Sequence, residues 1–156
     1  MDAAGLIVLL KELEADTAVV RDAAAKAAEW VEQQHPGHLE AAAYELGRLY
    51  SAFERSLERI SEDFENHFER RGDYHEKLLQ RLSLELEGIR PAFIAAAKLP
   101  VLRELKGFRH LTRHAYDLVL REDRLRELAE QAVAFARELP SWCTAFGERV
   151  RAEQGW

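Results

Sequence analysis

Two arginines, two histidines and a tyrosine fall within eight consecutive residues, Arg109-His-Leu-Thr-Arg-His-Ala-Tyr116. Arginine carries a permanent charge on a planar fork that matches phosphate oxygens, and histidine exchanges protons near neutral pH. Tyrosine, with a phenol pKa near 10, is a poor proton carrier at pH 7 but a good acceptor of a modifying group. On an ideal helix at roughly 100° per residue, counted from Arg109, Arg113 falls near 40°, His110 near 100° and His114 near 140°. Phe108, Leu111 and Ala115 gather at about 200–260°, the apolar side. The polar arc of Arg109, His110, Arg113 and His114 suits phosphodiester chemistry, and Arg113 could hold a phosphate. A plain solvated basic face would look the same, and Arg113 has an ion-pair partner in Asp117 four residues on. Arg109 and His114 stand about 140° apart, too divergent for one helix to close both on a single phosphate. Either the helix loosens near His114 or a second copy of the chain completes the site.

Other constellations carry less. A carboxylate-bridged di-metal site in a helical bundle needs a Glu-x-x-His on each of two helices, and the chain offers one, Glu32-Gln-Gln-His35, abutting Pro36. His110 and His114 have helical metal-ligand spacing, but Arg109, Arg113 and Arg121 around them repel a cation. The expectation is no metal and no cofactor. The single cysteine, Cys143, lies between Trp142 and Thr144 with no nucleophile motif around it, and reads as a small packing residue. Glu54 and His75 are polar residues in otherwise ordered stretches, with no role that spacing alone assigns.

Five amphipathic stretches must position these side chains. The first runs from about Asp2 to Gln34 and is broken by His35-Pro36-Gly37; the second runs from about His38 to Phe68, with Leu46, Tyr50, Phe53, Leu57, Ile60 and Phe64 as its apolar stripe. After Arg71-Gly72-Asp73, Asp73 being an N-cap candidate, Leu79, Leu82, Leu86 and Ile89 predict a third helix ending near Arg90-Pro91. The fourth, with Pro100 in its first turn, runs on through Leu111 and Ala115, so the reactive segment belongs to a helix over about 100–117. The last begins near Asp123, and Pro140 is expected to kink or end it. No stretch alternates like a strand. Short connections between such helices predict an all-α, up-and-down antiparallel bundle of about five helices.

With 156 residues the chain is one domain, large enough to bury about 70 % of its extended surface. Hydrophobic residues at 47 % and charged residues at 32 % are those of a globular chain, and the absence of a long apolar run excludes a membrane span. An acidic start and a single cysteine fit the cytoplasm. The net charge of −6 excludes a wholesale polyanion binder. Residues 1–78 hold 9 basic against 17 acidic side chains and residues 79–156 hold 13 against 11, so Lys98–Arg126 is a local basic patch able to select a phosphate.

The pattern Arg109, four residues, His114, one residue, Tyr116 resembles the signature of HEPN-domain ribonuclease toxins of the HepT type, in which a polar residue such as His110 commonly follows the arginine. Leu49–Ile60, Tyr74-His-Glu-Lys-Leu-Leu79 and Ile89-Arg-Pro91 follow the order seen in one HepT-like subfamily. The resemblance covers about Leu46–Leu128 and leaves the first helix, residues 1–36, outside it. It implies a metal-independent endoribonuclease, with the motif helices of a homodimer meeting across the two-fold. Such an enzyme uses the RNA 2′-hydroxyl as nucleophile, with Arg109 and His114 as catalytic residues. It further implies that Tyr116 is the site at which a minimal nucleotidyltransferase antitoxin attaches AMP and silences the nuclease. The alternative is a catalytically idle HEPN module that binds a nucleotide or a partner protein.

Overall fold

The computed structural model describes residues 1–65, 71–109 and 119–156, and among them every regular element is helical. Helix α1 (Ala3–Glu32) opens at Asp2, whose carboxylate accepts the Gly5 N–H at 2.7 Å, a side-chain N-cap. Helix α2 (His38–Glu65) follows the Pro36-Gly37 turn, Gly37 taking the positive φ that the reversal needs. Helices α3 (Tyr74–Leu82) and α4 (Leu99–Lys106) are short, and a single 3₁₀ turn (Ala96–Lys98) leads into α4. Helix α5 (Glu122–Gln154) closes the bundle.

The long helices carry the core. Helix α1 lies along both α2 and α5, and its buried Leu6, Leu9, Leu13, Val20, Ala24, Ala27 and Val31 recur at three- and four-residue steps. Aromatic edges meet at the centre: Phe53 on Phe135 with ring centroids 5.1 Å apart, Phe93 on Phe146 at 5.6 Å and Phe135 on Trp142 at 5.5 Å. Polar side chains are buried in the interior as well, Asp16 among them. Asp16 on α1 accepts from Arg59 at 3.0 Å and Ser56 at 3.4 Å on α2, so its charge is paired where it leaves water.

Three expectations need correction. The third helix does not reach Arg90. It stops at Leu82, whose carbonyl accepts both the Phe93 and Ile94 amides at 2.9 Å. Residues 84–90 form a tight reversal, with a lone Leu86–Arg90 bridge and Gly88 at φ +74°. Leu86 and Ile89 keep helical spacing, yet Ile89 is exposed. What decides the segment is Arg90, which is fully buried. Its guanidinium donates to Glu65 at 2.6 and 2.8 Å and to the carbonyls of Arg81 (3.0 Å), Leu84 (3.1 Å) and Pro91 (3.3 Å). A helix would consume the Leu84 carbonyl internally; here a side chain satisfies it, together with the Pro91 carbonyl and the last turn of α3.

Pro140 neither ends nor breaks the last helix, which runs through it as one element. The roughly 3 kcal/mol that proline costs a helix interior is outweighed by packing on both sides of it, where Phe135, Leu139, Phe146 and Val150 are buried. Finally, α4 does not extend over residues 107–109. It ends at Lys106, and the amides of Gly107, Phe108 and Arg109 bond three residues back, to Glu104, Leu105 and Lys106, in a tightened turn. Arg109 therefore stands beyond the end of α4 rather than along it.

Candidate active site

Arg109 is placed by a close approach of two backbones. Gly47, on the buried face of α2, lies against the Phe108 carbonyl: a Cβ there would sit 3.1 Å from the Phe108 carbonyl carbon and 3.6 Å from the Arg109 Cα, and closer still to the carbonyl oxygen. Only glycine admits that contact. Gly47, Tyr50 and Glu54 recur at three- and four-residue spacing, so they share one face of α2, and the turn that carries Arg109 crosses that face.

Helix α3 supplies the opposite wall. His75, in its first turn, meets Glu54 with Nδ1 2.7 Å from Oε2, and its ring takes the edge of Tyr74 with centroids 4.6 Å apart. Glu54 is only 9 % exposed, so its charge must be met inside the protein, and His75 meets it. The Tyr50 hydroxyl is buried in the same place, close to the Glu54 carboxylate. Burial above all pushes this phenol well above its ordinary range; the neighbouring Glu54 charge pushes further, and Arg109 pulls the other way. Tyr50 thus stands within electrostatic reach of both Glu54 and Arg109. Glu76, next to His75, ties α4 to α3 through Lys106 (2.6 Å) and Arg103 (2.9 Å), and these cations, Lys106 first, hold its carboxyl below the usual range. The recess therefore joins a guanidinium, a carboxylate-bound imidazole and a buried phenol.

Of the residues singled out by sequence, the structure places Arg109 in this recess. His110, Arg113, His114 and Tyr116 lie outside the described residues. Within the basic patch over Lys98–Arg126, six of the described basic side chains stand in ion pairs. Lys98 pairs with Glu138, Arg103 and Lys106 with Glu76, and Arg121 with Asp123. Arg124 pairs with Glu104 and Glu127, and Arg126 with Glu32 and Glu122. Some of these acids, Glu76, Glu138 and Glu32, come from elements outside the segment, and the others stand beside their partners in sequence or across α4 and α5. Glu54 and His75, to which the sequence assigned no role, and Tyr50, read there only as part of the apolar stripe of α2, stand at this site. Their one legible signal was an acid, Glu54, set among the apolar positions Tyr50, Phe53 and Leu57.

Cys143 lies elsewhere, beside a cavity of about 560 Å³ between α1 and α5 that shares no residue with this recess. Burial pushes its thiol up, and Thr17 Oγ1 stands 3.7 Å away, so it is a packing residue as its sequence context suggested.

A family model described as HepT-like protein matches residues 41–150. The chain belongs to the HepT-like family. The matched span takes in Gly47, Tyr50, Glu54, His75 and Arg109 and reaches almost to the end of α5, well past Leu128, where the resemblance in sequence gave out. Helix α1 precedes the span but is packed along α2 and α5, so in this HepT-like chain it is part of the same core. No curated protein and no solved structure matches the chain. No helix among the described residues is long and apolar enough to cross a membrane.

Proposed function

We propose that this HepT-like chain is the RNase toxin of a toxin–antitoxin pair, a metal-independent endoribonuclease of the cytoplasm. The observation that carries the reading is the position of Arg109, held by the Gly47 contact in a recess that also contains an imidazole. In this reading the RNA 2′-hydroxyl attacks the adjacent phosphorus and the product ends in a 2′,3′-cyclic phosphate. Arg109 offsets the charge that grows on the phosphorane, and His114 moves a proton. His110 and Arg113 contact flanking phosphates. Two protomers share the site, each contributing its motif segment to a closed two-fold dimer. AMP placed on Tyr116 by a nucleotidyltransferase antitoxin adds negative charge and bulk near Arg109 and shuts RNA out.

The test is cleavage of RNA by the purified protein in excess EDTA, with the product ends identified. Cyclic phosphate ends, and a loss of about 10²-fold or more in His114→Ala, are expected. Cleavage that depends on added Mg²⁺ overturns the mechanism. A protein that binds RNA or nucleotide without cutting it is instead an idle binding module. Treatment with the cognate nucleotidyltransferase and ATP should add AMP mass to the wild type and stop cleavage, while Tyr116→Phe escapes both. Sedimentation that gives a monomer at micromolar concentration removes the shared-site arrangement.

A further inference from the structure

Helix α1 opens with eight residues, Ala3-Ala-Gly-Leu-Ile-Val-Leu-Leu10, that carry no polar side chain on any side. An ordinary surface helix keeps charges on its outer face and apolar residues on the inner one. Here Leu6 and Leu9 are buried in the core while Ile7 and Val8 stand 58 % and 60 % exposed, and Ala15 and Ala18 are exposed further along. The cavity of about 560 Å³ between α1 and α5 adjoins this face, with Leu10, Ala18, Pro140 and Cys143 in its apolar lining. We propose that this groove docks a second copy of the chain, laid antiparallel across it about a two-fold axis. The inference does not rest on the RNase reading, because the groove shares no residue with the Arg109 recess and α1 precedes the family match, which begins at residue 41.

Two contacts fix the order of residues along the groove. Leu10 packs so closely on Gly147 that a Cβ there would crowd its methyl groups, and Thr17 Oγ1 stands 3.7 Å from Cys143 Sγ, so α1 and α5 run antiparallel. Glu14, Glu148 and Arg151 therefore lie toward the Leu10 end, and Arg21 and Pro140 toward the other. Glu14 is taken by Lys11 at 2.7 Å, whereas Arg21, Glu148 and Arg151 hold no ion pair among the described residues. Two arginines against two glutamates leave the lining with no net charge, so it selects neither a polyanion nor a polycation. What complements it is the same groove reversed. Antiparallel docking brings the second copy's Arg21 to Glu148 and its Glu148 to Arg21, an isologous contact in which the pair occurs twice. The same reversal carries the exposed Ile7 and Val8 of each copy toward the end of the other where Ala18 and Pro140 offer apolar walls. Alanines 15 and 18, small at the crossing, let the two α1 helices approach closely.

Association of the full chain is read by sedimentation equilibrium at micromolar concentration, with circular dichroism to show that each variant keeps its helix content. Arg21→Glu and Glu148→Arg each set like charges across the contact twice, and each should weaken association about tenfold or more. The double variant, Arg21→Glu with Glu148→Arg, rebuilds the pairs in reverse and should associate within about threefold of wild type. Ile7→Asp places a charge on the exposed apolar face and should halve the mass of the assembly. The product is a monomer if this contact stands alone, and a dimer if the motif segments pair as well. A monomeric wild type, single variants with the mass of wild type, or a double variant no better than the singles overturns the proposal and leaves the RNase reading untouched. A protein that cuts no RNA yet loses mass in the single variants and regains it in the double keeps the docking surface and overturns the RNase reading alone.

Discussion

Helix α2 carries two glutamates that reach across to partners later in the chain, and the two pairs are built to opposite ends. Glu65 meets Arg90, a group with no exposure, whose donors all end on protein: two bonds to the carboxylate and three to backbone carbonyls. Burial, with some help from Arg81, pushes that guanidinium down to about 10, which still leaves it charged at neutral pH. Glu54 meets His75, a partner that titrates and keeps part of its ring in solvent. One pair locks a loop, and its side chain has no capacity left over. The other holds an imidazole partly in solvent, in a cluster with the buried Tyr50 phenol and the turn that carries Arg109. A buried charge pair is thus no sign of function by itself; what distinguishes the second is its place beside Tyr50 and the turn that carries Arg109.

The comparison breaks most sharply at Arg90. Arg90→Ala leaves Glu65 with Arg81 as its remaining cationic partner among the described residues and takes the guanidinium donors from the Leu84 and Pro91 carbonyls. Removing one member of a buried pair typically costs about 3–5 kcal/mol, and denaturant unfolding should show a loss of that order. At temperatures where the variant is folded, RNA cleavage per folded molecule should match wild type. An Arg90→Ala protein of unchanged stability but impaired cleavage would reverse the two assignments.

What the sequence revealed follows the same division. The long helices α1 and α2 and the start of α5 were legible because their apolar positions recur over many turns, and burial follows that period. The errors lie where one tertiary contact overrides the local pattern. Leu86 and Ile89 continue a helical rhythm that Arg90 interrupts, and Pro140 sits in a helix that its neighbours hold together. Arg109 was legible as a residue type at a spacing, but its setting was not, because Gly47 lies 62 positions away and only the fold shows why it must be glycine.

Gly47→Ala therefore sharpens the comparison. Alanine gains about 1 kcal/mol of helix propensity over glycine, while forcing a methyl group into a packed backbone contact costs typically 1–3 kcal/mol. The net change in stability should be small, at most about 2 kcal/mol. The strain falls on the Phe108–Arg109 backbone, so cleavage should drop by more than the stability change explains, tenfold or more if Arg109 moves by about 1 Å. Full activity in a folded Gly47→Ala protein would show that the turn tolerates displacement and that Arg109 needs no such placement.

Glu76 is the intermediate case, a carboxylate about a quarter exposed that ties α4 to α3 without belonging to either kind of pair. Its carboxyl is held below the usual range, chiefly by Lys106 and then by Arg103. A group whose folded-state value is depressed contributes stability that is complete above its unfolded value, near 4.3 for glutamate, and is lost as the pH falls through the folded value. The partly solvated setting limits that contribution to about 1 kcal/mol or less. Glu76→Gln should therefore lower the melting temperature slightly at pH 7, with the gap to wild type closing as the pH drops below about 4. Salt should narrow the same gap at neutral pH, because solvent-exposed charges are screened. The Arg90–Glu65 lock is buried, and added salt should leave its contribution nearly intact. A Glu76→Gln gap that persists at low pH would mean that the carboxylate matters through packing rather than charge.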